Sequence, residues 1–370
     1  MPRRLSAARS CSVQATIRHG SFAQKLTFYT LCTIYVQRFE GNFWHSEPNF
    51  AGEMPAPPAT RTSDPSQGQM NGFLLVDKPI GISSVGAIKE LNKRHSLQRK
   101  SGKVGHGGTL DPYASGLLVV AVGKATRLLR FFLGSDKRYV ADFRFGERTA
   151  TDDREGEVVA TAPYAHVTRE RLEEALCGFR GEIMQVPPVF SAVHVDGKRA
   201  YDLARSGREV ELAPRPVTIH AIEILECALP DAPNLRLDIR CSGGTYIRSI
   251  ARDLGRAVES EAYMAELRRT GACHFDIAQA TPLDKLVATD DIESFLVPCV
   301  RAMKDFPQLP RKDDEILRLL RGLPVNFHVS RDGIYSVTGR GRLVAVLERK
   351  NGHNDFVRLM TDAEFAAIIQ

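Results

Sequence analysis

The stretch VGHGGTLDPYASGLL, residues 104–118, sets a single carboxylate, Asp111, between a glycine-rich turn and an apolar run. Gly105, Gly107 and Gly108 permit close backbone approach and positive φ, and Pro112 fixes the chain just after the aspartate. A carboxylate held in one direction at the mouth of a cleft can serve as a nucleophile or as a general base. The same residues also read as an ordinary turn or helix cap, the commonest use of an Asp-Pro pair. Phosphate transfer fits poorly, because the GxxxxGK[ST] loop is absent and no helix clearly opens at Gly108. His106 and Asp111 offer two candidate metal ligands at an unhelpful spacing, so neither a metal nor a cofactor is expected.

Two further stretches carry chemistry. CSGGTYIRSIARDLG, residues 241–255, places Thr245, Tyr246 and Arg248 where a strand ends and a helix begins. If Arg248 lies near Asp111, the ion pair keeps the carboxylate ionised and oriented; otherwise it is a surface arginine at a helix start. QVPPVFSAVHVDGKRAYDLARSGREVELAPRPV, residues 185–217, interleaves Lys198, Arg199, Arg205 and Arg208 with Phe190 and Tyr201. Cations for phosphates and flat rings for unstacked bases suit RNA, and an insertion of that length usually has a function. The plainer reading is a solvated loop with an amphipathic helix.

The elements that must position these residues are those of a mixed α/β domain. FLLVDKP is a short buried strand closed by Pro79. A helix follows behind Ser83 as N-cap, with Val85, Ile88 and Leu91 on its inner face. Strands are expected near 117–122, in RYVADFRFG, in VTIHAIEILEC and in LRLDIRC, and helices in KATRLLRFFLG and RERLEEALCGF. YIRSIARDLGRAV is helical with Ile247, Ile250, Ala251 and Leu254 inward. From about residue 300 a helix in DDEILRLLRGLPVNF and several short strands with Gly or Asn turns suggest a small β-rich barrel.

The chain has 370 residues, 43% of them hydrophobic and 25% charged, with a formal net charge of +6. These values suit an ordinary globular protein and allow a polyanionic partner. No apolar run approaches the ~20 residues of a membrane helix. Seven cysteines without a CxxC pair fit neither a zinc site nor a disulfide framework, so reduced thiols in a cytoplasmic protein are expected. Residues 1–69 differ from the rest. Their first acidic residue is Glu40, preceded by six arginines and lysines, and EMPAPPATRTSDPSQGQ at 53–69 is rich in proline and small polar residues. A disordered extension is expected there, upstream of a functional chain that opens at Met70; an organelle transit peptide has a similar composition.

Taken together, six stretches in order resemble the TruB-type family of pseudouridine synthases, which isomerise the uridine of the TΨC loop of transfer RNA. They are DKPIGISS (77–84), GHGGTLDPYASGLL (105–118), KRYVADFRFG (137–146), QVPPVFSAVHVDGKRAYDLAR (185–205), GGTYIRSIARDLG (243–255) and LRRTGACHFD (267–276). The resemblance covers residues 70 to about 365. It implies an α+β fold, a pseudouridine-synthase mixed sheet with a central cleft over residues 70–300, the 185–217 insertion clamping RNA, and a small C-terminal PUA-like RNA-binding barrel over 301–370. It also implies that Asp111 is the catalytic aspartate, Arg248 its paired arginine, and Tyr246 a tyrosine that contacts the target base and serves the later proton removal. Tyr139 would stack on the base, Leu267 would line the uracil pocket, and His106 would lie against the substrate loop. Lys198, Arg199 and Arg205 fall in the clamp, while Lys78 and Pro79 support the site. Gly107 departs from the family's usual Thr or Ser, and Cys273 and His274 replace a more usual basic or small-residue run.

The implied reaction is isomerisation of uridine 55 by base flipping and aspartate-dependent cleavage and rejoining of the glycosidic bond, with no cofactor. Whether Asp111 attacks C1′ or removes the C2′ proton stays open. The expected partner is the T-arm of tRNA, with no obligate protein partner, no membrane and a monomeric chain. Two rivals use the same fold: a non-catalytic RNA chaperone, and a guide-dependent partner in RNA modification. The trio Asp111, Tyr139 and Arg248 disfavours the first, and a chain that runs to Gln370 without a Lys-rich tail is expected to act alone, which disfavours the second.

Overall fold

The computed structural model describes residues 70–191, the backbone at 194–195 and 198–199, and residues 212–370. All belong to one compact unit, Ser63–Gln370. The extension expected over 1–69 lies outside the described residues, as do the Arg205 position and the side chains of Lys198 and Arg199.

In chain order the strands are β1 (Gly72–Lys78), β2 (Val104–His106), β3 (Ser115–Val122), β4 (Lys137–Phe145), β5 (Glu147–Thr149), β6 (Val158–Thr161), β7 (Gly181–Gln185), β8 (His194–Val195) and β9 (Lys198–Arg199). There follow β10 (Arg215–Cys227), β11 (Asn234–Cys241), β12 (Ala262–Ala272), β13 (Phe275–Asp276), β14 (Thr281–Pro282), β15 (Gln308–Pro310), β16 (Gly333–Gly339), β17 (Arg342–Lys350) and β18 (His353–Arg358). One mixed sheet runs β14-β1-β3-β12-β4-β11-β10-β7, with β2 beside β3 and β13 beside β12. Its halves meet at a short parallel seam, where Arg268 is in register with Ser115 and Arg269 with Gly116. The turn carrying Asp111 joins β2 to β3 and so lies at that seam.

Period-two alternation sends successive residues of β1 and β3 to opposite faces. Leu74, Val76, Leu118 and Val120 enter one core with Tyr139, Ile239 and Leu254. Phe73, Leu75, Leu117, Val119 and Ala121 enter another, closed by Phe132, Ala302, Met303, Leu343, Val346 and Leu359. Both faces are dry, which is why LLVVAV is continuously apolar. The reverse face is lined in part by residues from the 301–370 segment and in part by Ala125, Leu128, Phe132 and Phe275. Lys124 pairs with Glu364, and Arg130 lies 2.8 Å from Glu348, across the same junction.

The C-terminal strands pair in the open order β15-β16-β17-β18, and no pairing closes them into the expected barrel among the described residues. β15 has only three residues, and the open sheet is instead packed by Ile316 and Leu319 of helix Asp313–Leu320 and Phe365 of helix Asp362–Ile369. The first helix, Ser84–His95, starts as expected with the Ser83 hydroxyl accepting from the Gly86 amide at 3.0 Å. Its buried face is Ser84, Ala87, Leu91 and His95, however, and Val85 is exposed. The helix is rolled because Ser84 Oγ both accepts from the Leu110 amide at 2.7 Å and donates to its carbonyl at 2.9 Å, tying it to the Asp111 turn. The helix Ile247–Ala257 buries Ile247, Ile250, Ala251 and Leu254, as its pattern predicts.

Candidate active site

Three anchors hold the Asp111 turn. Ser84 grips Leu110 from one side. From the other, the buried Arg269 guanidinium donates to the carbonyls of Leu117 (2.7 Å), Gly108 (3.1 Å) and Thr109 (3.4 Å). Gly107 N–H donates to Val119 O at 2.9 Å, continuing the β2–β3 ladder. Of the turn's glycines only Gly108 has positive φ, +140°. The tightest approach lies further on: a Cβ at Gly116, where φ is +102°, would stand 2.3 Å from the Arg269 carbonyl oxygen. A Cβ at Gly107 would find no heavy atom nearer than 3.5 Å, so the absent hydroxyl-bearing residue leaves ordinary room.

Arg248 does lie beside Asp111. Its Nη2 is 3.4 Å from Asp111 Oδ2, with the arginine side chain 9% and the aspartate 38% exposed. The same guanidinium serves other acceptors: Asp153 Oδ2 (3.1 Å), Thr151 O (3.2 Å) and Phe190 O (3.1 Å). One helical turn on, Arg252 reaches Asp152 Oδ2 and Val186 O, each at 2.9 Å. Two arginines at i and i+4 share a helix face, so adjacent aspartates on one loop can pair with both. Burial opposes the charge on Arg248, but Tyr113, Asp111, Asp153 and Asp152 outweigh it and hold its pKa above the ordinary value. Burial raises the Asp152 carboxyl above its usual range, with Arg252 working the other way.

Tyr246 caps that helix at its N-terminus. Its amide donates to Gln185 Oε1 at 2.8 Å and its carbonyl accepts from Gln185 Nε2 at 3.1 Å, so β7 fixes its backbone while the side chain is half-buried. Tyr139 lies on β4 in register with Arg269 and is 9% exposed, part of the main core. Burial raises its phenol pKa and the Arg269 charge lowers it. Leu267 is half-buried on β12 opposite Ala141 and packs on the same core. His106, on β2, is half-buried with Nδ1 unpartnered among the described residues. Burial and then the Arg269 cation lower its pKa, so its ring is neutral at pH 7.

The structure thus brings Asp111 to Arg248 and sets Tyr139 in register with Arg269, which holds the Asp111 turn. Three contributors do not stand out in the sequence. Asp153 sits in ATDDREGE, where an acidic pair before a turn was the only signal. Arg269 looks like any basic residue of LRRTG until it is found 2% exposed beneath the turn. Tyr113, two residues after Asp111, donates its hydroxyl to Asp111 Oδ2 at 2.8 Å.

Among solved structures the fold resembles a chain in the crystal structure of a Cbf5-Nop10-Gar1 complex, with TM-score 0.61, 24% identity, and coverage of 80% of this chain and 87% of that one. A second, from the archaeal box H/ACA sRNP Nop10-Cbf5 complex, matches with TM-score 0.61 at 23% identity over 82% and 91% of the two chains. At these identities the likeness speaks for the fold alone. Sequence comparison is more specific. Residues 94–247 match the TruB family pseudouridylate synthase N-terminal domain and residues 248–304 the tRNA pseudouridylate synthase B C-terminal domain. The tRNA pseudouridine synthase B of Cereibacter sphaeroides is 43% identical over 259 residues, 69% of this chain and 83% of that protein. Its namesake in Neisseria meningitidis serogroup A is 37% identical over 313 residues, 83% of this chain and all of that protein. The chain belongs to the TruB family of pseudouridylate synthases.

Proposed function

We propose that the chain is a stand-alone tRNA pseudouridine synthase that isomerises uridine 55 of the TΨC loop. The observation that carries this reading is Asp111: a partly exposed carboxylate on a turn pinned from both sides and faced by Arg248 at 3.4 Å. The reaction breaks the bond between ribose C1′ and uracil N1, turns the base, and joins C1′ to C5. C5 then loses a proton and N1 gains one. Atoms and electrons balance within the nucleotide, so the chemistry calls for no cofactor. It requires an ionised carboxylate at the sugar, a wall for the freed uracil, and a means of exposing a stacked base.

Asp111 acts at C1′ or C2′. Tyr139 stacks on the uracil, Leu267 lines its pocket, and Tyr246 borders it and assists proton removal from C5. Base flipping costs a few kcal/mol, and stacking on an aromatic ring returns roughly 1–3 kcal/mol. His106, neutral at pH 7, fills the gap left by the flipped nucleotide as an uncharged ring. Lys198, Arg199 and Arg205 clamp the RNA loop, and residues 301–370 form a PUA-like accessory that also meets RNA. The protein acts as a cytoplasmic monomer without a guide RNA.

Single-turnover conversion of a T-arm stem-loop by the full chain tests this, with Asp111→Asn as comparison and no other RNA present. Pseudouridine at the position of uridine 55 from the wild type and none from the variant, with binding retained by both, is expected. Binding without product from the wild type would favour the RNA-chaperone reading, and product only with an added guide RNA would refute stand-alone action.

A further inference from the structure

Tyr113 is a buried phenol, 4% exposed, packed in the core that also holds Leu110, Ala114, Leu118 and Tyr139. A buried tyrosine hydroxyl needs a partner, and here the partner is the carboxylate of Asp111. The geometry is local. The Ala114 amide donates to the Asp111 carbonyl at 3.1 Å, closing a tight turn around Pro112 that carries the Tyr113 ring back beneath the carboxylate. Burial raises the phenol pKa well above its ordinary value, so at neutral pH the hydroxyl is a donor.

The charged groups around Asp111 do not replace this donor. Arg248 stands off at 3.4 Å, and its hydrogens are shared among Asp153, Thr151 and Phe190. Lys78 exerts charge on Asp111, but its Nζ donates to the carbonyls of Pro79 and Ile82 at 2.9 and 2.7 Å. Arg269 is committed to backbone carbonyls. Both close contacts to Asp111, from Tyr113 and from Arg248, fall on Oδ2. Its Oδ1 accepts no hydrogen bond from the described residues.

We propose that Tyr113 is a positioning residue for the catalytic carboxylate: its hydroxyl fixes Oδ2, with Arg248 behind it, and thereby turns Oδ1 toward the sugar. The inference rests on the role given to Asp111 above. An arginine that divides itself among four acceptors neutralises charge broadly, whereas a phenol with one hydrogen and one acceptor sets a direction. A carboxylate on a turn rotates about χ2 unless one oxygen is tied, and near-attack geometry is sensitive to such rotation.

The test is Tyr113→Phe in the full chain, assayed by single-turnover conversion of the stem-loop and by RNA binding. A hydrogen bond to an ionised acceptor is strong enough that its loss should lower the chemical rate roughly tenfold to a hundredfold. KM, RNA affinity and thermal midpoint should stay near wild type. Replacement of Tyr113 by 3-fluorotyrosine, which keeps the donor, should retain the wild-type rate, while 4-fluorophenylalanine should behave as Phe does. 4-Fluorophenylalanine also decides the matter if Phe impairs folding, because its fluorine fills the place of the tyrosine hydroxyl without donating a hydrogen bond. A wild-type rate in a folded variant lacking the donor overturns the proposal, as does a rise in KM at constant rate. Absence of product from the wild-type chain would instead sink the proposed function, and this inference with it.

Discussion

Gly116→Ala should damage both stability and catalysis, although residue 116 has no side chain to take part in the chemistry. At φ +102° the backbone is in a region that L side chains rarely adopt, which costs about 1–3 kcal/mol. The new Cβ would also stand 2.3 Å from the Arg269 oxygen and 2.7 Å from its nitrogen. Relief requires the strands to part by about 1 Å, since non-bonded atoms settle near 3.5 Å. Overpacking of this kind adds roughly 1–3 kcal/mol. The total, about 2–6 kcal/mol, falls on a seam registered only through Arg268 with Ser115 and Arg269 with Gly116. Arg269 also holds the carbonyls of Gly108 and Thr109, so its displacement moves the Asp111 turn. Urea unfolding should show a lower midpoint at unchanged slope, and the single-turnover rate should fall. Gly107→Ala is the control: its Cβ meets nothing closer than 3.5 Å and φ is not positive, so stability should change by no more than about 1 kcal/mol. A Gly116→Ala protein within about 0.5 kcal/mol of wild type, at full rate, would refute the account of the seam.

Lys78 gives a pH signature. Burial brings its pKa from 10.5 down to about 8, the Asp111 charge partly opposing and the Arg269 charge adding to the fall. Between those values the unfolded chain binds the proton and the folded chain does not, so the contribution of Lys78 to stability rises with pH through that window and is least below it. The wild-type minus Lys78→Met difference in unfolding free energy should therefore climb from pH 8 toward 10.5, and a flat difference would contradict the burial argument. For the clamp, replacing Lys198, Arg199 and Arg205 by alanine should weaken RNA binding and flatten its salt dependence by about 0.7 per lost phosphate contact. An unchanged slope would remove those residues from the RNA interface.

What the sequence discloses depends on how local the signal is. The helix Ile247–Ala257 was legible because its buried positions repeat at helical spacing, and β1 because an apolar run ends at Pro79. Asp111 and Arg248 were legible as candidates through the company each keeps in the chain. Their partners were not. Asp153 meets Arg248 across 95 residues, and Arg269 reaches Gly108 across 161, distances over which spacing carries no information. Tyr113 was hidden for the opposite reason, since its aromatic ring fits an apolar run and nothing marks its hydroxyl as aimed at Asp111. Val85 was misplaced because its helix takes its roll from the Ser84 bond to Leu110 rather than from its apolar residues alone.

The reverse core has a consequence for how the molecule is made. β1 and β3 are complete once Val122 has been added, yet Leu343, Val346 and Leu359 form part of the cover over Phe73, Leu117 and Val119. At about 5–20 residues per second, ribosomal synthesis takes on the order of 10–50 s to travel from one to the other. Through that interval the central strands wait with one apolar face only partly covered, by Leu128 and Phe132 at first and by Phe275 later. The nascent chain needs its last segment to complete that cover, whatever else the segment does.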